Sequence, residues 1–276
     1  MTQYVKLLTL LLIGMANQVL ADKTYTVGVV PQFGSRQITQ IWQPILSEVS
    51  RSSGIDLQLT ASPNIATFEK QLDDGMFDFA YMNPYHALTA QKSQGYNPIL
   101  KDSERKLYGI IVVKKDSPIQ SVTELEGQTV AFPSRTALGA TQLPKAELFR
   151  KFNLRMNSLY VKSHSSVYLN VIMGTTIAGG GVQNTLAQQD AKIRDKLRIL
   201  YTTETVSPHP ITVHPRVSQA TQERVKAAFL ALGEHPRTKA LLAKIPIKKI
   251  GSATLGDYHS IKKLALDAFD DHNAAQ

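Results

Sequence analysis

Between residues 25 and 202, apolar runs of strand character take turns with amphipathic helical stretches, without exception. A chain that alternates in this way is confined to open sheets with helices packed on their faces. The first unit reads "YTVGVV" at 25–30, then a polar loop "PQFGSR", then a helix with Ile38, Ile41, Trp42, Ile45 and Val49 on one face and a closing Gly54. "IDLQLT" alternates as a strand, Asn64 or Ser62 caps a second helix through Leu72, and Gly75 ends it ahead of the strand "FDFAY". A third helix opens near Pro84 and stops at Gly95, before a strand around Ile99. The pattern then repeats. "YGIIVV" at 108–113 is a continuous apolar run of the kind buried on both faces, and "SVTE" at 121–124 is a capping box. A strand ending at Phe132 feeds a small-residue loop from Pro133 to Gly139 and a helix that ends before Asn153. "SLYV", a helix from about Ser166 to Met173, the glycines Gly179, Gly180 and Gly181, a helix capped by Asn184 and the strand "LRILYT" complete the alternation. It predicts parallel sheets joined by right-handed crossovers.

The remainder breaks the rhythm. "SPHPITVHP" at 207–215 reads as an extended crossing, because its prolines deny the backbone a helix. Three helices follow, at 218–233, 236–244 and 257–269, and without strands they cannot form a unit of their own. They pack back on the first lobe. The expected organisation is therefore an α/β chain of two lobes, 22–108 with 209–276 and 109–208, joined by two crossings that make a hinge. Each sheet is expected to be rich in parallel strands. Cleft-closing binding proteins are built this way, with the ligand between the lobes at strand carboxyl ends and helix amino ends.

The opening "MTQYVKLLTLLLIGMANQVLA" has one lysine, an apolar run from Leu7 to Met15 and a small residue, Ala21, suited to a cleavage site. It reads as a secretory signal peptide at 1–21, too short and too polar at its end to span a bilayer. Its removal leaves 255 residues without cysteine, so the exported chain rests on its core and carries no lipidated cysteine at the cleavage site. The expected location is the periplasm. The net charge of +9 is spread in short pairs such as Lys114-Lys115, Lys248-Lys249 and Lys262-Lys263. Scattered charge suits an acidic small ligand and not a nucleic-acid stripe.

Candidate binding residues sit where strands end and helices begin. The loop at 133–139 would present backbone N–H groups and a positive dipole end to an anion. Small side chains at Ala137 and Gly139 admit a ligand to the backbone, and the hydroxyls of Ser134 and Thr136 can cap the helix or donate to that ligand. "AYMNPYH" at 80–86 puts Tyr81 and Asn83 at the cleft edge of the first lobe, Asn83 being equally suited to cap the helix. "SHSSVY" at 163–168 offers His164 and Ser165 at a second helix start; the alternative is a Ser166 cap with His164 in solvent. Gly179 to Gly181 permit a close ligand approach or form a bulge. His209, between prolines at the return crossing, can be held into the cleft, whereas His209 and His214 lack the further ligands that a metal demands. No G-x-S-x-G, H-E-x-x-H, G-x-x-x-x-G-K or G-x-G-x-x-G pattern occurs, so no catalysis and no cofactor is expected.

The segments "FDFAYMNPYHAL", "YGIIVVKKDSPIQSVTELEGQTVAFPS", "GATQLPKAEL", "SVYLNVIMG" with "AGGGV", and "YTTETVSPHPITVHPRV" together resemble the PhnD-like family, the periplasmic phosphate, phosphite and phosphonate binding proteins of ABC transporters. The resemblance covers essentially the mature chain and implies a type II-like periplasmic binding protein fold. Phosphonate binders of this family offer a Ser-Thr-Ser-Gly turn at the central helix; here the matching positions read Ala137-Leu138-Gly139-Ala140, so the hydroxyls are gone while the helix amino end remains. Tyr108 matches a tyrosine lining the cleft, Tyr81 and Asn83 lie in a segment that does so too, and His164 matches a histidine before the second-lobe helix. Where aminophosphonate binders place acids against the ligand amine, this chain has His209 and Asn184, which argues against a cationic ligand group.

The resemblance implies a monomeric protein that captures a small anionic solute by hinge closure and presents it to an inner-membrane ABC permease. The alternative is a periplasmic sensing module for a membrane histidine kinase, cyclase or chemoreceptor. If residues 1–21 are the export signal, the intact mass of the protein recovered from the periplasm will correspond to a chain beginning at Asp22; retention of the full 276 residues would refute it.

Overall fold

The computed structural model describes residues 23–262, except 246, together with Leu264. The expected signal peptide and the end of the expected 257–269 helix lie outside the described residues. The chain begins β1 (Tyr25–Val29), α1 (Ser35–Ser53), β2 (Leu57–Thr60), α2 (Ile65–Asp73), β3 (Phe79–Tyr81), α3 (Pro84–Gln94) and β4 (Asn97–Asp102). It continues through β5 (Gly109–Lys114), β6 (Thr129–Phe132), α4 (Leu143–Phe152), β7 (Asn157–Tyr160), α5 (His164–Met173), β8 (Ala178–Val182), α6 (Gln183–Ala187), α7 (Ala191–Arg194) and β9 (Leu197–Thr202). After the return come β10 (Ile211–Val213), α8 (Gln219–Leu232), α9 (Pro236–Leu242), β11 (Ile250–Ser252) and α10 (His259–Lys262).

Two sheets result. One has the order β11-β4-β10-β3-β1-β2, and the other β7-β6-β8-β5-β9. The two-lobed α/β architecture is the one expected, but both sheets are mixed. β1 runs parallel to β2 and β3, and β6 to β7 and β8; β10 lies antiparallel between β3 and β4, β11 antiparallel to β4, and β5 antiparallel to β8 and β9. The reason is topological: the crossover rule binds only strands joined through a helix within one sheet. β10 arrives from the other lobe along an extended segment, so nothing obliges it to run parallel. The expectation of helices alone after residue 215 also fails, because "IGS" forms the three-residue edge strand β11, too short to carry a period.

Local signals behave as the residues dictate. Asn64, not Ser62, caps α2, its side chain accepting from the Thr67 N–H at 2.9 Å. Ser121 and Glu124 close the capping box. Ser163 caps α5, which starts two residues earlier than the expected Ser166. Asn184 does not cap a helix; it lies in the first turn of α6. The amphipathic face of α1 is buried through Ile38, Trp42, Ile45, Leu46 and Val49 in the first lobe's core.

The stretch after β6 holds a feature that the alternation of strand and helix does not announce. Residues Leu138–Gln142 form a π-helical turn, with the Thr141 N–H bonding the Ala137 carbonyl at 2.8 Å and the Gln142 N–H reaching the same carbonyl at 3.3 Å, before α4 begins. Pro144 explains it. In a continuous α-helix its ring would collide with the carbonyl four residues back, that of Ala140. The wide turn carries that carbonyl aside, toward the sheet, where only a strand without side chains can receive it. A Cβ on Gly180 would stand 2.1 Å from the Ala140 oxygen, and one on Gly109 would stand 2.0 Å from the Gly139 oxygen. Gly179 and Gly181 are equally crowded, by Val167 and by the Tyr168 hydroxyl. The glycine run is thus neither a bulge nor a ligand approach; it is a smooth strand in continuous register with β5, shaped to take a turn on one face and α5 on the other.

Gly180→Ala should therefore cost about 1–3 kcal/mol, the usual range for overpacking a tight core. Urea unfolding checks this; a change below about 0.5 kcal/mol would mean that the turn is not seated on the strand.

Candidate functional site

Three helix starts face one another across the space between the two sheets: the capped end of α3, the π-turn leading into α4, and the capped end of α5. The first N–H groups of a helix have no partner within it and give its amino end a partial positive charge. A narrow cavity lies between them, lined by Val30, Gln32, Ile65, Asn83, the backbone segment 137–140, His164, Val182 and His209. A second one adjoins it. Its walls include Gln32, Tyr81, Asp102, Arg105, Lys106, Asn184 and His209, so Gln32, Val182 and His209 are shared by both.

Asn83 is buried at the start of α3. Its Oδ1 accepts the His86 N–H at 2.9 Å and its Nδ2 donates to the Thr136 carbonyl at 3.2 Å, so the cap also ties the two lobes together. Tyr81, at the end of β3, stacks on the His209 imidazole with ring centres 5.4 Å apart and leans on Trp42 at 4.9 Å. Burial holds the Tyr81 phenol protonated. His164 is buried, not solvent-facing: its N–H reaches the Gln32 carbonyl of the first lobe at 3.3 Å, and its Nδ1 lies 3.2 Å from the Thr185 hydroxyl. Burial pushes both His164 and His209 down to about 3, the neighbouring His164 and His86 acting in the same direction on His209. Both rings are neutral hydrogen-bonding groups at physiological pH.

The sequence-expected residues divide into three groups. Asn83, Ala137, Gly139, His164 and His209 meet in the first cavity, and Tyr81, Asn184 and His209 in the second. Ser134 and Thr136 stand just outside, their hydroxyls 3.3 Å apart. Thr136 does not cap its own helix; it donates across the cleft to the Glu69 carboxylate, which His86 also contacts at 2.7 Å. Tyr108 and Ser165 do not line either cavity. The Tyr108 ring packs against the second lobe's cluster around Ile110 and Val112, and Ser165 sits half-buried in the first turn of α5.

Three residues were not legible as site residues. Gln32 sits at the carboxyl side of β1, where the same positional logic applies, but a lone glutamine in a polar loop gives no further signal. Glu69 lies in mid-helix and faces the cleft only because α2 packs there. Burial works to raise its pKa, but the hydrogen bond and charge of His86 and the Thr136 hydroxyl prevail and hold the carboxyl below its ordinary value. Arg105 follows β4 on the crossing, its N–H fixed by Asp102 Oδ1 at 3.0 Å and its guanidinium donating to Asn184 Oδ1 at 3.1 Å.

Residues 27–258 match a protein-family profile described as the periplasmic substrate-binding protein of phosphonate ABC transporters. No curated protein matches the sequence. Solved structures share the fold. The binding protein component of an ABC phosphonate transporter from Pseudomonas aeruginosa superposes with a TM-score of 0.83 at 16% identity, over 92% of this chain and 90% of that one. PhnD1 from Prochlorococcus marinus, in complex with methylphosphonate, gives 0.80 at 13% identity, over 90% and 98%. A Xanthomonas citri protein bound to ATP gives 0.70 at 18% identity, over 92% and 99%.

The buried histidines carry a pH signature. Their folded pKa lies below the unfolded value of about 6.5, so the unfolded chain takes up protons first and stability falls as pH drops from about 6.5 toward 3. Each contributes up to about 1.4 kcal/mol per pH unit in that window. The urea midpoint followed from pH 7 to pH 5 should fall less steeply in His164→Asn and His209→Asn variants; an unchanged slope would place neither ring in a neutral buried state.

Proposed function

The chain belongs to the family of periplasmic substrate-binding proteins of phosphonate ABC transporters, and from that premise we propose that the cavity between its lobes captures a phosphonate-class oxyanion through neutral donors. A member of this family binds a small molecule without chemistry, works in the periplasm and serves a membrane permease. The observation that carries the ligand reading is the convergence, on one cavity, of the 137–140 backbone, the start of α5 and the neutral His164 and His209. In this reading the N–H groups of the π-turn take the place of the missing hydroxyl turn, with Asn83 and Gln32 as further amides. An oxyanion held by many preorganised dipoles needs no full counter-charge.

The lobes we assign are 22–108 with 209–276, and 109–208. The hinge is the pair of crossing strands, clamped where Leu107 and Val206 exchange both backbone hydrogen bonds, at 3.0 and 2.8 Å. Opening about it breaks the contacts that cross the cleft, from Asn83 to Thr136 and from His164 to Gln32. Closure brings both lobes to the permease as one surface, as a monomer exported by the signal at 1–21. The sensor reading uses the same closed surface and differs only in the membrane protein that meets it; the family favours the permease.

Thermal melting of the mature protein tests the reading. Methylphosphonate, phosphite or phosphate at about a hundred times its dissociation constant should add about 2.7 kcal/mol of stability, whereas neutral amino acids should add none. His209→Phe keeps the ring stack on Tyr81 and removes the donor, and should weaken that ligand roughly 10- to 100-fold, the worth of a hydrogen bond to a charged group. Silence across the phosphorus oxyanions would overturn the ligand assignment.

A further inference from the structure

The two cavities that share Gln32, Val182 and His209 differ in their electrostatics. The cavity at the π-turn is lined by no cationic side chain: its polar lining is backbone, amides and two imidazoles that burial keeps neutral. The cavity on the other side of His209 is lined by Arg105 and Lys106. Arg105 is half-buried, its side chain held only by the neutral amide oxygen of Asn184, and it makes no ion pair among the described residues. Lys106 is exposed beside it.

The one acid in that second cavity is already committed. Asp102 is 2% exposed; its Oδ1 accepts the N–H groups of Glu104, Arg105 and Lys249 at 2.9, 3.0 and 3.3 Å, and its Oδ2 accepts that of Lys248. A carboxylate with four backbone donors is a knot that shapes the crossing; it is neither a counter-ion for the guanidinium nor a seat for a ligand amine. The half-buried charge of Arg105 is therefore left to be matched by something that enters the cleft.

We infer that the cleft is a two-part site whose ligand carries a second anionic group, a phosphonate at the π-turn and a carboxylate at Arg105, joined past His209. The inference rests on the phosphonate reading above and narrows it to phosphonocarboxylates. A guanidinium presents paired N–H donors in the plane that a carboxylate accepts, so the second contact adds direction as well as charge. Asn184 belongs to the second lobe and Arg105 to the crossing, so a ligand drawing on both would be gripped only when the lobes are closed.

Calorimetric titration of the mature protein with phosphonoacetate, 3-phosphonopropionate, methylphosphonate and aminoethylphosphonate tests it. At least one phosphonocarboxylate should bind tenfold or more tightly than methylphosphonate. Arg105→Gln, and separately Lys106→Gln in case the first variant folds poorly, should shrink that preference, read as the ratio of phosphonocarboxylate to methylphosphonate affinity measured within the same variant. Equal binding of the phosphonocarboxylates and methylphosphonate overturns the second subsite and leaves the phosphonate site standing. Tighter binding of aminoethylphosphonate overturns it as well, since it would direct the second group to Glu69 at the other rim. If none of the four binds, the phosphonate reading falls and this inference with it.

Discussion

The arrangement of the cleft depends on a collision that does not happen. Pro144 cannot tolerate the Ala140 carbonyl in the place where an α-helix would put it, so the helix opens with a wide turn and the carbonyl swings into β8. Gly180 and Gly109 are the vacancies that receive the displaced carbonyls of Ala140 and Gly139. Three separate stretches of the sequence, at 109, 139–144 and 180, thus define one object, a helix start pressed against the sheet with its amino end toward the opposite lobe. The other cleft residues are placed relative to it: Thr136 and Asn83 bridge from its leading edge, and His164 and Val182 face it from the neighbouring helix and strand.

Charge in the cleft follows from burial. His164 and His209 are too far from water to hold a proton, so the π-turn end is built of dipoles. The formal charges stand at the ends, Glu69 engaged by Thr136 and His86 at one rim and Arg105 at the other.

How much of this was legible depends on the range of the cause. Caps and helix stops are local chemistry, and Asn64, Asn83, Ser121 and Gly54 do what their types and positions suggest. The division into two sheets followed from the alternation and from the prolines around His209. Strand direction did not follow, because nothing in "ITV" records which neighbours it joins. The lining of the cleft was half visible. Positions at strand ends, such as Tyr81, Asn83, Gly139 and His164, could be found by rule, but Glu69 and Arg105 reach the cleft only through tertiary packing. Tyr108 shows the converse: it stands at the expected point of the chain but lines neither cavity, because it packs on the apolar cluster of its own lobe.

The position of β10 has a bearing on how the protein comes to be made. It lies in the middle of the first sheet, between β3 and β4, although it is encoded more than a hundred residues after either. The second lobe is one unbroken stretch of chain and can condense as soon as β9 has emerged. The first lobe cannot, because until β10 arrives β3 and β4 have no common partner and each presents an open edge. In chain order, then, the lobe begun second is complete before the lobe begun first. The waiting half-sheet is the stretch of this chain that most needs to be kept from pairing with the wrong neighbour.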